Sequence, residues 1–114
     1  MNKLHSLKLE ETKKNREKAQ SIFKNLRDKI CSTLEEVENQ GSHKKNSFIS
    51  NVWNRKGGGG GESNNLRGAV IEKSGVHLST VFGSLPLGAL DSDKSVNTDQ
   101  FWATGLSVIV HPKN

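Results

Sequence analysis

The amino-acid sequence predicts an α+β fold, an N-terminal helix packed on an antiparallel sheet. Three observations predict it. Apolar residues between positions 10 and 39 recur at three- and four-residue steps, the period of an amphipathic helix. Beyond a run of five glycines the period shortens and β-branched residues dominate, as they do in strands. There is a single cysteine, Cys31, and no apolar run near the ~20 residues of a membrane span, which argues against a disulfide or Cys-rich zinc scaffold and a membrane helix.

In chain order, Ile22, Phe23, Leu26, Ile30, Leu34 and Val37 form the apolar stripe of the expected helix, residues 10–39. Lys24, Arg27, Asp28, Glu35 and Glu36 take its opposite face, and Gly41 is a stop signal. Cys31 lies beside the stripe and reads as a partly buried structural thiol. Residues 41–47 are polar and turn-like, and Phe48, Ile49, Val52 and Trp53 form a short apolar cluster. Gly57–Gly61, with no side chain to hold a conformation, reads as a flexible connector. Residues 69–73 and 76–82, separated by Ser74-Gly75, suggest a β-hairpin. Residues 83–98 read as a loop, with Asp91 and Asp93 as turn formers. Leu106–Val110 is a third strand candidate, whose Leu106, Val108 and Val110 offer an apolar face to the helix.

Only 32% of the residues are hydrophobic and the mean hydropathy is −0.66, yet Leu, Ile, Val and Phe make up about a quarter, enough for a core. The net charge is +5, and all but one of it sits in residues 1–45. Basic and acidic residues alternate there, which suits a solvated helix face better than a nucleic-acid surface. Leu4, Leu7 and Leu9 are interleaved with charge, unlike a secretory signal. A cytoplasmic protein is expected.

Known site patterns find little support. Gly61 is followed by Glu62 and Ser63, so neither a phosphate loop nor a dinucleotide fingerprint is present. No HxxxH, CxxC or EF-hand spacing occurs. Ser107 and His111 share parity on a strand and hence one face, roughly 13 Å apart at ~3.3 Å per residue. That separation excludes a nucleophilic dyad but suits two contacts on one large ligand. His77 and His111 read as solvent-facing residues.

Three stretches carry a more specific signal. Trp53-Asn54-Arg55-Lys56-Gly57-Gly58-Gly59-Gly60 resembles a WxRxGGGG pattern, and Glu72-Lys73-Ser74-Gly75-Val76-His77-Leu78-Ser79 resembles EKAGVNFS. Residues 101–114, from Phe101-Trp102-Ala103 through Ser107 and His111-Pro112 to Asn114, resemble FxAxGxSxVxHPxN. In this order the patterns are similar to the amino-terminal part of oxygen-dependent coproporphyrinogen-III oxidases. Ser74 and His77-Leu78 depart from the pattern.

The resemblance implies oxidative decarboxylation of two propionates of coproporphyrinogen III to vinyl groups in haem synthesis. Molecular oxygen is the co-substrate, without flavin, haem or NAD. It implies that Ser107 contributes to substrate binding, that His111 is a ligand for a divalent metal ascribed to bacterial members, and that the enzyme is a homodimer. Arg55 and Arg67 are candidates for holding propionates by residue type, and Gly57–Gly61 is either a lid over the ligand or a turn. The implied fold is a large antiparallel sheet covered by helices on both faces. Residues 1–114 then form the amino-terminal portion of one domain, with the helix over 10–39 and the glycine-rich loop and strands over 48–114. The family's proton-donor histidine falls beyond Asn114, so the chain reads as a truncated member, inactive alone. The rival reading is a non-enzymatic fragment that binds through its basic helix or pairs its open sheet edge with another chain.

Overall fold

A computed structural model describes residues 3–41, 43–85 and 100–114. Helix α1 (Lys3–Gln40) is followed by strands β1 (Ile49–Asn54), β2 (Gly59–Leu66), β3 (Ile71–Ser84) and β4 (Gln100–Pro112). The strands form one antiparallel sheet in the order β1-β2-β3-β4, so β1 and β4 are its edges. The α+β expectation holds, with one helix on one face.

The helix begins seven residues earlier than the apolar period indicated. From Lys3 to Gln40 the chain contains neither Gly nor Pro and is rich in Lys, Glu and Leu, so propensity extends it past the stripe that packs. Its end is closed by Asn39, whose Oδ1 accepts from Asn46 N (2.7 Å) and whose Nδ2 donates to Asn46 O (3.2 Å).

The buried face of α1 is turned around the axis from the expected stripe. Phe23, Ile30 and Leu34 are half-buried as expected, but Ile22, Leu26 and Val37 remain 54%, 43% and 46% exposed. Polar anchors set this rotation. Arg16 lies over the Trp102 ring, Gln20 donates to Thr80 Oγ1 (3.1 Å), Arg27 pairs with Glu62 (2.9 Å), and Glu35 accepts from Phe48 N (2.8 Å). Their spacing along the helix defines the face that meets the sheet.

Glu38 is the strongest of these anchors. Fully buried, it accepts from the backbone N–H groups of Ala69 (2.9 Å), Val70 (3.0 Å) and Ile71 (2.7 Å), and from Asn46 Nδ2 (3.1 Å). These bonds hold its carboxyl below the usual carboxylate range, that from Ile71 foremost, against the opposing effect of burial. Any Cβ on Gly68 would strike this carboxylate, so the β2–β3 connection needs glycine there. Leu66, Ile71, Val76 and Leu78 complete the buried core beneath the helix.

The strands correct four expectations. Ser74-Gly75 is no turn: β3 runs unbroken through it, paired with β2 and β4 on both sides, and Ser74 Oγ donates to Ile109 O (2.9 Å). The glycine run is no connector. Gly57 and Gly58 belong to the β1–β2 turn, and Gly59–Gly61 are strand residues paired with β3. Gly59 has φ +81°, and a Cβ there would lie 2.8 Å from Val81 Cα, so the close ladder requires glycine. Of the expected loop, Gly83 and Ser84 are strand residues, while residues 86–99 lie outside the described residues. Lastly, Leu106 is partly covered, but Val108 and Val110 stay 42% and 41% exposed. The helix crosses the sheet over β3 and leaves the far end of β4 bare.

Candidate functional site

Pairing and alternation assign residues to the two faces of the sheet. The helix covers the face of Glu62, Asn64, Val76, Leu78, Thr80 and Trp102. The opposite face carries Ser107 and His111, as their shared parity predicts. There Asn51, Ser63, His77 and Ser107 lie side by side, one from each strand, in a polar row across the sheet. The next row holds Trp53, Gly61, Ser79 and Gly105. Trp53 lies over Gly61, where a Cβ would come within 2.5 Å of its ring. With Gly75 this makes a low floor of small residues, bordered by Trp53 and by Ile109.

The candidates are strung along this face rather than gathered. Ser107 is exposed and directly opposite His77. His111 is opposite Lys73 at one end of β4. Arg55 sits at the tip of the β1–β2 hairpin, donating from Nη1 to Phe82 O (2.8 Å) with its guanidinium 5.3 Å from the Phe101 ring centroid. Phe101 and Ser107 are six residues apart on β4, roughly 20 Å at ~3.3 Å per residue. Arg55 therefore anchors the hairpin at the end of the sheet far from His111.

Arg67 joins a different group. A hollow of about 470 Å³ is lined by Asn65, Arg67, Lys73, Gly75, Ile109 and His111. Among the described residues, no ion pair involves Arg67 or Lys73. Three basic side chains around one hollow suit a carboxylate. Lys73 escaped the sequence reading because the supposed turn at Ser74-Gly75 cut β3 in two, and only the pairing with His111 reveals it.

His77 is not the solvent-facing residue expected of it. It is half-buried, and its Nδ1 is buried with no hydrogen-bond partner among the described residues. Cys31 is half-buried, as expected, and burial, followed by the charge of Glu35, pushes its thiol pKa up. Among the described residues no three His, Cys, Asp or Glu side chains come together, so they do not assemble a metal site around His111. Among them, too, no helix is long and apolar enough to cross a membrane.

The three motifs read from the sequence all lie along the strands of this sheet and the turn between β1 and β2. The model of the family described as Coproporphyrinogen III oxidase matches residues 18–114, and the chain belongs to that family. Over 107 residues it is 39% identical to an oxygen-dependent coproporphyrinogen-III oxidase of Rickettsia bellii, covering 90% of this chain and 38% of that protein. A chloroplastic oxygen-dependent coproporphyrinogen-III oxidase of Glycine max is 40% identical over 106 residues, 87% of this chain and 26% of its own. The chain thus spans well under half the length of these relatives.

Proposed function

We propose that this chain supplies one wall of the substrate site of an oxygen-dependent coproporphyrinogen-III oxidase. The observation that carries the reading is the open face itself, a floor of small residues with Ser107 in its polar row and a basic hollow at one end. Coproporphyrinogen III is a broad apolar macrocycle with four propionates. Such a molecule needs flat contact at its centre and separated polar contacts at its rim, which a compact catalytic dyad does not offer.

In this reading Ser107 hydrogen-bonds the ligand near the middle of β4, and Arg67 and Lys73 hold a propionate in the hollow with His111. Arg55 stiffens the hairpin carrying Trp53. The reaction removes CO₂ from a propionate and leaves a vinyl group, with molecular oxygen as the oxidant. The role of these residues is to bind and orient the propionates for that step. A divalent metal at His111 would need ligands from elsewhere, and no step is assigned to one. Homodimer formation and a cytoplasmic setting belong to the same proposal.

The test is binding of coproporphyrin III, the stable oxidised form of the substrate, followed by porphyrin absorbance and tryptophan quenching. Removing a charge-assisted contact in Lys73→Ala or Arg67→Ala should weaken binding about tenfold, and Ser107→Ala should weaken it less. Octaethylporphyrin, which has no carboxylates, should bind all variants alike. Failure of the wild-type chain to bind, or equal affinity of every variant for coproporphyrin, would overturn the reading. Turnover is assayed by loading the porphyrinogen anaerobically, admitting air and separating the vinyl products. We assign binding to these residues.

A further inference from the structure

We infer that His77 is a further ligand-contacting residue, which joins Ser107 in gripping one carboxylate of the bound molecule. The inference rests on the substrate reading above and adds a residue to it. Three observations lead to it.

First, His77 occupies the central polar row of the open face, directly paired with Ser63 on one side and Ser107 on the other. Side chains directly opposite on neighbouring antiparallel strands have Cβ atoms about 4.5–5.5 Å apart, close enough for both to reach one carboxylate. Second, one nitrogen of the imidazole has no hydrogen bond among the described residues. Its Nδ1 is buried and unpartnered among the described residues, whereas Ser74 Oγ and Asn64 Nδ2 on the same sheet, and the Glu38 carboxylate of α1 packed on it, are all satisfied. A buried polar atom without a partner calls for one from outside the chain or for a movement that reaches one. Third, Gly75 gives the ring room to lie back along β3: a Cβ there would fall 2.6 Å from Nε2.

Together these describe a side chain held back against glycine with an unused nitrogen, beside the serine proposed to hold substrate. Moving to another rotamer lifts the ring off Gly75 and turns a nitrogen towards the ligand side of the row. The imidazole then donates to one carboxylate oxygen while the Ser107 hydroxyl donates to the other. No covalent step is involved. Lys73 and His111, farther along the same face, hold a different carboxylate.

The experiment measures coproporphyrin III binding to the wild-type chain, His77→Ala, His77→Gln and Ser107→Ala. It is paired with long-range ¹H–¹⁵N spectra of the wild-type imidazoles, assigned with the His77→Gln variant. Losing a hydrogen bond to a charged group should weaken binding about tenfold in His77→Ala, with part of the loss restored by the amide of His77→Gln. Ligand should shift the His77 ring nitrogens and leave those of His5, on the exposed start of α1, in place. Unchanged affinity in both His77 variants, or an unmoved His77 ring in the wild-type complex, would overturn the inference and leave the substrate reading standing. Failure of the wild-type chain to bind would overturn the substrate reading itself, and this inference with it. The wild-type spectrum decides the matter even if His77→Ala unfolds the sheet.

Discussion

Replacing Gly59 with alanine tests whether the glycine run is a built strand or a loose tether. Gly59 has φ +81°, a conformation costing an L-residue about 1–2 kcal/mol. The new Cβ would lie 2.8 Å from Val81 Cα and press on the Thr80 carbonyl. Both belong to the strand with which Gly59 is paired, so relief requires opening the ladder. Overpacking of this kind costs about 1–3 kcal/mol. The total, about 2–5 kcal/mol, is a large share of the 5–15 kcal/mol typical of a domain. It should lower the thermal midpoint on the order of 10–20 °C. Gly57→Ala is the control, because its Cβ meets only the side-chain end of Arg55, whose bond to Phe82 O it would loosen, and no backbone of the facing strand, and its φ is not positive. It should stay within about 1 kcal/mol of the wild type. Urea unfolding followed by tryptophan fluorescence reads both, since Trp53 lies against Gly61 in the same ladder. If Gly59→Ala is no more destabilising than Gly57→Ala, the run has no fixed conformation and the strand assignment is wrong.

Other perturbations separate the remaining contacts. Glu38 titrates below its ordinary 4.5 when folded, so its contribution is complete above the unfolded pKa and is lost as pH falls through the folded one. Glu38→Gln should therefore lower the thermal midpoint at neutral pH, with the difference from wild type narrowing in acid; a gap independent of pH would show that the charge contributes nothing. Leu66→Ala, at a residue only 1% exposed, should cost about 2–5 kcal/mol in urea unfolding. Leu26→Ala, at 43% exposure, should cost about 1 kcal/mol or less, and equal losses would restore the stripe read from periodicity. With its thiol pKa raised by burial and by Glu35, Cys31 should react with a disulfide reagent more slowly in the folded chain than in urea. A faster folded reaction would contradict its partial burial.

The sequence by itself determined the class of fold, the presence of a long N-terminal helix, the strand character of residues 106–110 and the shared face of Ser107 and His111. These follow from local periods, 3.6 residues for a helix and two for a strand, which any segment carries in its own residues. The family was legible for a related reason: its three motifs are short, ordered and specific.

Tertiary structure decided what depends on distant partners. Which side of α1 is buried was settled by Arg27 finding Glu62 and by Glu38 finding the N–H groups of residues 69–71, pairings more than thirty residues apart. Gly59–Gly61 lie flat in the sheet because β1 and β3 close on both sides of a strand too thin to declare itself by composition. Ser74-Gly75, turn-like in isolation, is held straight by hydrogen bonds from two neighbouring strands. That continuity brings Lys73 opposite His111 and His77 opposite Ser107. The candidate site is thus a product of strand register, and register is set by the burial of one whole face of the sheet, not by any residue along it.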